Sequence, residues 1–359
     1  MSKLVTLNDL GYVNRGRSKH RPRNAPELYG GPYPFVQTAD IKHADLYLTE
    51  YEQTYSELGL AQSRLWPIGT LCITIAANIA DTAILGCEAC FPDSVIGFIP
   101  DEDKCDVRYV KYLFDTELQE SFQQLSQGVA QDNLSKDKLL SVKFRIPDLP
   151  IQHRIADILS VYDDLIENNR RRIAILEETA RLTYRKWFGG GEGRLLPLAE
   201  VADVLYGKDH KKIQDGDIPI FGSGGIMRYG AKAIYEQPSV LIPRKGTISN
   251  VMYVEEPFWT VDTMFYTRVK IPNMERILYY QLCDYNIASM STGAAVPSMT
   301  TAILNALRIV VPPSELRQRF DEAVSPIFGQ CRILKMQSAA LVAARDMLLP
   351  RLMKGEVNL

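Results

Sequence analysis

The feature that most constrains this chain is a stretch near its middle, Pro150 to Phe188, with no Gly or Pro after its first residue. Apolar residues recur at Ile155, Leu159, Tyr162, Ile166, Ile173 and Leu176, and Asn169 fills the remaining slot. Alternating spacings of four and three are the heptad pattern of a helix with one sticky seam. The other faces carry charges of both signs, among them Asp157, Asp163, Glu167, Arg170, Arg171, Glu177, Glu178, Arg181 and Arg185, which read as solvated. At 1.5 Å per residue such a helix is about 57 Å long. One helix with one seam does not stand alone in water, so a partner seam is required.

The partner lies near the other end of the chain. A shift of 165 positions turns the seam into Phe320, Val324, Ile327, Cys331, Leu334, Ser338 and Leu341. A second helix, from about Glu315 to Leu349, therefore repeats the first in register. The same shift matches Gly128 with Gly293, Leu139 with Leu304 and Pro147 with Pro312. Farther upstream the shift becomes 169, pairing Leu71 with Val240, Ile79 with Ile248 and Asp93 with Asp262. At the starts it is 191, where Leu7, Val13 and Gly16 meet Leu198, Val204 and Gly207. A drifting shift is what loop insertions between matched elements produce. The chain is two copies of one unit, each a globular domain followed by a long helix.

Each unit reads as α+β, a mixed α/β domain. In the first, the strand-like pieces YPFVQT, LCITIAA and SVIGFIP precede the helical spacing of VRYVKYLFDTELQESFQQL. The expected boundaries are 1–149 for the first domain and 150–188 for the central helix. A Gly-rich joint and the second domain follow over 189–312, then the C-terminal helix over 313–359. The two helices are expected to pack as an antiparallel coiled coil along the seams above.

Composition narrows the function. With 46% hydrophobic and 23% charged residues the chain is of ordinary globular make-up. No run approaches the ~20 apolar residues of a membrane span, and the start, MSKLVTLNDLGYVNRGRSKHRPR, lacks the apolar core of a signal peptide. Six cysteines without close pairing, apart from Cys87 and Cys90, suit a reducing cytoplasm. Net charge is −2, so a nucleic-acid binder of this composition must concentrate its positive charge locally.

Two loops do so. Arg15, Arg17, Lys19, His20, Arg21 and Arg23 follow the opening apolar pattern of the first copy, with Gly16 and Pro22 breaking any element there. Lys208, His210, Lys211 and Lys212 occupy the matching place in the second. Arg and Lys supply most contacts to DNA. In the second copy, Ser223 sits among Gly222, Gly224 and Gly225, which read either as a plain tight turn or as a place where free backbone N–H groups could hold a phosphate. Arg228 follows on the same run, and Arg244 and Lys245 stand at a strand-to-turn break before Gly246. Phe258 and Trp259 read as core rather than as base-stacking platforms.

Catalytic and metal motifs are missing. There is no phosphate loop, no H-E-x-x-H and no Asn-Pro-Pro-Tyr or Asp-Pro-Pro-Tyr run. Cys87 and Cys90 form a lone C-x-x-C with only Cys105 near, short of the four ligands zinc needs, so no metal site is expected. The residues argue for a binding protein without its own active site.

The chain resembles the specificity subunits of Type I restriction-modification systems along essentially its whole length. The resemblance is carried by Ile151-Gln152-His153-Arg154-Ile155-Ala156 through Leu176-Glu177 to Trp187-Phe188 and by the terminal LLPRLMKGEV. SQGVAQDNL, STGAAVPSM and FGSGG followed by VLIPRKGTI add to it. It implies two target recognition domains joined by two helices, each domain reading one half of a split asymmetric site in double-stranded DNA. It implies that the helices set the gap and dock two methyltransferase subunits, and it leaves open whether restriction subunits join. No cofactor of its own is implied; S-adenosylmethionine is expected on the partner methyltransferase. Two features depart from the pattern, Ala77 where the second copy has Gly246, and the short link GGGEG. Three other readings stand beside this one. They are the recognition subunit of a Type IIB-like complex, a stand-alone methylase or nuclease, and a coiled-coil scaffold whose domains bind protein.

Overall fold

The computed structural model describes residues 3–76, 79–118, 136–285, 287 and 298–357. The matched motifs around Gly128 and Gly293, and Ala77, lie outside the described residues. The chain divides into two compact units, residues 1–171 with 334–359, and residues 172–333.

The first unit contains β1 (Lys3–Val5), α1 (Leu7–Leu10), β2 (Gly11–Arg15), β3 (Tyr29–Phe35), α2 (Thr38–His43), β4 (Tyr47–Leu48) and β5 (Gln53–Tyr55). It continues with α3 (Glu57–Gln62), β6 (Leu71–Thr74), β7 (Thr82–Leu85), β8 (Val95–Pro100), α4 (Val107–Leu113), α5 (Lys136–Ser141), β9 (Phe144–Ile146) and the start of α6 (Leu149–Phe188). Its main sheet has the order β2-β8-β6-β7-β4. Central strands buried on both faces need apolar side chains at every position, and β6 and β7 are buried throughout. Side chains on β6 alternate between two cores. Leu71 and Ile73 point into the one that α4 and α6 share, and Cys72 into a smaller one with Trp66 and Phe91.

The second unit repeats this plan. It has β10 (Arg194–Pro197), α7 (Leu198–Val201), β11 (Ala202–Tyr206), β12 (Ile218–Gly222), β13 (Gly225–Gly230), β14 (Ser239–Pro243), β15 (Met252–Val254), β16 (Trp259–Thr260) and β17 (Met264–Val269). Then come α8 (Glu275–Asp284), α9 (Thr301–Ala306), β18 (Arg308–Val311) and the start of α10 (Ser314–Met353). Its main sheet is β11-β17-β14-β15, and Val240 and Ile242 face one core while Leu241 faces the other.

The sequence shifts reappear as backbone register. Lys3 pairs with Ile146 across β1 and β9; Arg194 pairs with Val311 across β10 and β18. Gly11 pairs with Pro100, and Ala202 with Val269. Each second pair is the first moved by the shift of its segment. The insertions fall between matched strands, as the β3–β5 pair in one copy and the β12–β13–β16 sheet in the other.

The two long helices pack antiparallel. In the first unit Ile155 and Leu159, near the start of α6, share a core with Leu349 and Leu352, near the end of α10. In the second, Ala180 and Tyr184 from the end of α6 share a core with Phe320 and Val324 from the start of α10. Of the seam positions, Ile155, Leu159, Ile166, Phe320, Val324 and Leu334 are buried, and Tyr162, Ile173, Leu176, Ile327 and Leu341 are half-buried. Both helices stop at a left-handed glycine, Gly191 and Gly355. The second runs four residues past the expected Leu349, through Pro350 to Met353. One expectation fails: Asp163, read as a solvated outer-face charge, is buried, because it pairs with Arg345. Phe258 and Trp259 are core, as read. Among the described residues no helix is long and apolar enough to cross a membrane.

Candidate nucleic-acid interface

In the first unit the basic loop leaves the sheet at the end of β2 and is stitched down at once. The Gly16 amide donates to Val95 O at 2.8 Å and the Arg17 amide to Phe91 O at 2.9 Å. A Cβ on Gly16 would lie 2.3 Å from the carbonyl oxygens of Phe91 and Pro92, so only glycine fits. The loop then rests on the end of α3. Gln62 Oε1 accepts from the Lys19 and His20 amides at 2.6 and 3.0 Å, and Ser63 Oγ donates to Arg17 O at 2.7 Å.

The second unit makes the same stitch. The Gly207 amide donates to Met264 O at 3.0 Å and the Lys208 amide to Thr260 O at 2.9 Å. A Cβ on Gly207 would lie 2.0 Å from Val261 O. Trp259 Nε1 adds a bond to Lys208 O at 2.9 Å. Two loops of unrelated sequence are thus launched from one backbone position by the same pair of hydrogen bonds.

The cations on these loops fall into two groups. Arg15, Arg17, Lys19, Lys208, Lys211, Lys212 and Lys245 are exposed, and among the described residues none has a side-chain partner. Arg21, Arg23 and Arg228 are engaged inside the protein. Arg21 donates to the Ser18 and His20 carbonyls, and Arg23 forks onto Asp93 at 3.0 and 3.1 Å. Arg228 donates to His210 O and Ile213 O at 2.6 and 2.9 Å and pairs with Asp215, which braces the 207–215 loop. Within that loop the Asp209 carboxyl sits below its ordinary pKa because the Lys211 backbone amide donates to it.

Ser223 belongs to the tight β12–β13 turn. Its carbonyl accepts from Asn250 Nδ2 at 2.8 Å, and Gly246, at φ +82°, comes so close that a Cβ there would lie 2.5 Å from Ser223 Oγ. The Gly-rich turn and the Arg244-Lys245 break, 20 positions apart in the chain, therefore form one surface. Arg244 lies with Cζ 5.5 Å from the Tyr206 ring centroid.

Several groups on these surfaces escaped the sequence reading. Arg64 lies over Trp66 and Tyr12 beside the first loop. Tyr12 accepts from Asn14 and from Arg64, and these hydrogen bonds hold its phenol below the usual value. Tyr206, Ile226, Met227 and Tyr229 are exposed large side chains on the second unit. No local pattern marks them, since each is one residue on a strand or turn. Cys87, Cys90 and Cys105 are free thiols that do not converge; Cys90 and Cys105 belong to different cores, and burial pushes the Cys105 thiol up to about 12.

Fold and surface together define a duplicated recognition protein: two copies of one domain, each presenting unpaired cations from the same place. The model for the Type I restriction modification DNA specificity domain matches residues 2–178 and 196–340, and the chain belongs to that family. It is similar to the Type I restriction enzyme MjaIX specificity subunit of Methanocaldococcus jannaschii, with 24% identity over 402 residues covering 98% of this chain and 92% of that protein. Among solved structures, the Type I restriction-modification S subunit from M. genitalium has a TM-score of 0.64 at 17% identity, covering 98% of this chain and 96% of that one. The HsdS subunit from Thermoanaerobacter tengcongensis has a TM-score of 0.41 at 15% identity, covering 99% and 97%.

Proposed function

We propose that each unit reads one half of a bipartite, asymmetric target in double-stranded DNA, and that the chain does so without chemistry of its own. One observation carries this reading. Both copies launch an exposed basic loop from the same glycine by the same two hydrogen bonds, yet the loop side chains differ. A shared frame with divergent contact residues is what two unlike half-sites require. The free cations would meet phosphates and position each unit, and base-edge contacts would specify. The proteins it resembles, named as specificity subunits, support the same reading.

The partner would be the methyltransferase, two copies of it, carrying the S-adenosylmethionine; a restriction subunit would join where cleavage follows. The working compartment would be the cytoplasm, with the DNA. An exposed apolar stripe on α6, beside its charged outer faces, would contribute to the docking surface. In the first unit Ile151, Ile158, Val161 and Leu165 form an exposed apolar stripe along α6, at spacings of seven, three and four. A stripe with that period suits a partner helix.

The test is methylation mapping in cells carrying this chain with its methyltransferase. The expected result is a bipartite asymmetric motif, and methyl transfer or cleavage by the purified chain alone would overturn the reading. The helices are further proposed to set the gap. Four helix-forming residues inserted after Glu178 add about 6 Å and about 40° net rotation. They should lengthen the gap by one or two base pairs and leave both half-sites unchanged. An unchanged gap in an active variant would show that this helix does not set the spacing.

A further inference from the structure

We propose that Arg64 is the residue with which the first unit recognises a guanine in its half of the target; this rests on the chain reading DNA. Arg64 lies outside the basic run and carries no sequence signal. Its guanidinium is nonetheless the best prepared on this surface. Cζ stands 4.1 Å from the Trp66 ring centroid and 4.9 Å from that of Tyr12, and NH1 donates to the Tyr12 hydroxyl at 2.7 Å. Among the described residues its side chain has no other hydrogen-bond acceptor and no carboxylate partner. Arg21, Arg23 and Arg228, by contrast, are bonded to protein oxygens.

The platform beneath Arg64 is rigid. Trp66 is fully buried and stacked on Phe91 at 4.8 Å. Gly97 on β8 makes room for the indole, because a Cβ there would lie 2.6 Å from the Trp66 ring. Tyr12 is fixed in turn by Asn14, whose Oδ1 accepts from Lys136 Nζ at 3.2 Å. The two residues before Arg64, Gln62 and Ser63, are the ones that hold the basic loop in place. The fork is therefore fixed beside the cations that would grip the backbone.

A flat guanidinium held over two rings and tied to one hydroxyl, with most of its five donors unused, matches the O6 and N7 acceptors of guanine in the major groove. A phosphate contact would not need that orientation, and the flexible Arg17 and Lys19 side chains suffice for it. Stacking alone does not account for the arrangement, since a single cation–π contact near the surface is only weakly stabilising.

The experiment uses the chain assembled with its methyltransferase subunits and maps the methylated motif. Arg64→Met keeps an unbranched side chain on the rings and removes the donors. One guanine position in one half-site should then accept other bases, with discrimination there falling about 10-fold or more. The other half-site should be unchanged. An unchanged motif, relaxation at a position that is not guanine, or an equal loss on all sequences would overturn the proposal; the last would mark a phosphate contact. Should Arg64→Met melt early, Tyr12→Phe removes only the hydroxyl that orients the fork. It should weaken discrimination at the same position, and no change there would equally overturn the assignment. A wild-type complex without a bipartite motif would defeat the functional reading itself. A bipartite wild type with an identical Arg64→Met motif would defeat this inference alone.

Discussion

The two copies share a backbone frame but lock their helices with opposite chemistry. In the first unit the lock is polar. Asp163 on α6, 3% exposed, accepts from Arg345 of α10 at 2.5 Å and from the Tyr112 hydroxyl of α4. In the second unit the positions matching Asp163 and Arg345 are Phe328 and Ala180, and the lock is aromatic. Phe320 packs against Phe188, Trp187 and Tyr184 with centroids 5.0, 5.9 and 6.3 Å apart, and Phe328 meets Tyr253 at 5.3 Å. Arg276 lies over Phe328 and pairs with Glu255 and Asp321. Backbone geometry survives duplication because it needs only matched hydrogen bonds and matched volume. The contacts that fill that volume are free to diverge.

The comparison can be broken at each lock, and the aromatic one should give the largest effect. Phe320→Ala removes the ring that three others share, and should destabilise the second unit by about 3–5 kcal/mol. Hydrogen exchange should rise along α8 and leave α4 unchanged; a uniform rise would show that the units do not melt separately. Next comes the polar lock. Asp163→Ala leaves the buried Tyr112 hydroxyl and the NH1 of Arg345 without an acceptor, although Arg345 Nε and NH2 keep Asp346, and should cost about 3 kcal/mol. Replacing both partners, Asp163→Leu with Arg345→Met, should recover most of that loss, because a buried ion pair and an apolar pair of similar volume are often equivalent. Chemical denaturation of the two variants decides it, and a neutral Asp163→Ala would mean the network is not a lock.

The smallest effect is in pH, where the units should differ in sign. Burial raises the Asp106 carboxyl, but hydrogen bonds from Arg108 and His153 more than reverse this and hold it below the ordinary value. Its stabilisation is complete above the unfolded pKa of about 3.9 and is lost as pH falls from there toward the folded value. Glu275 in the second unit is pushed up by burial. Its penalty is absent well below the unfolded pKa of about 4.3 and sets in as pH rises toward the folded value. At pH 6, Asp106→Asn should melt below wild type and Glu275→Gln should melt no lower than wild type. The Asp106→Asn gap should narrow as pH falls below about 3.9, and any Glu275→Gln gap should narrow as pH falls below about 4.3; a gap that does not change with pH for either variant would show that its carboxyl is not the titrating group.

The parts legible in the sequence are those that local periodicity carries. The seam of α6 reappears in α10 at a shift of 165, and the shifts of 191 and 169 at Leu7 and Leu71 foretold which strands correspond. Gly16 and Gly207 matched before their reason was visible. Arg228 read as one more surface cation, yet it braces the loop beside it. Asp163 read as a solvated charge because a carboxylate on a long helix usually is one. Its partner Arg345 is 182 positions away.

By itself the sequence determined the duplication, the two helices and the basic loops, since each rests on spacing along the chain. Only the tertiary structure decided which cations are free and which are bonded, that Trp66 and Tyr12 carry Arg64, and that one helix lock is ionic where the other is aromatic. These depend on distances between residues far apart in sequence. Periodicity encodes which face a side chain occupies, and it does not encode what meets that face.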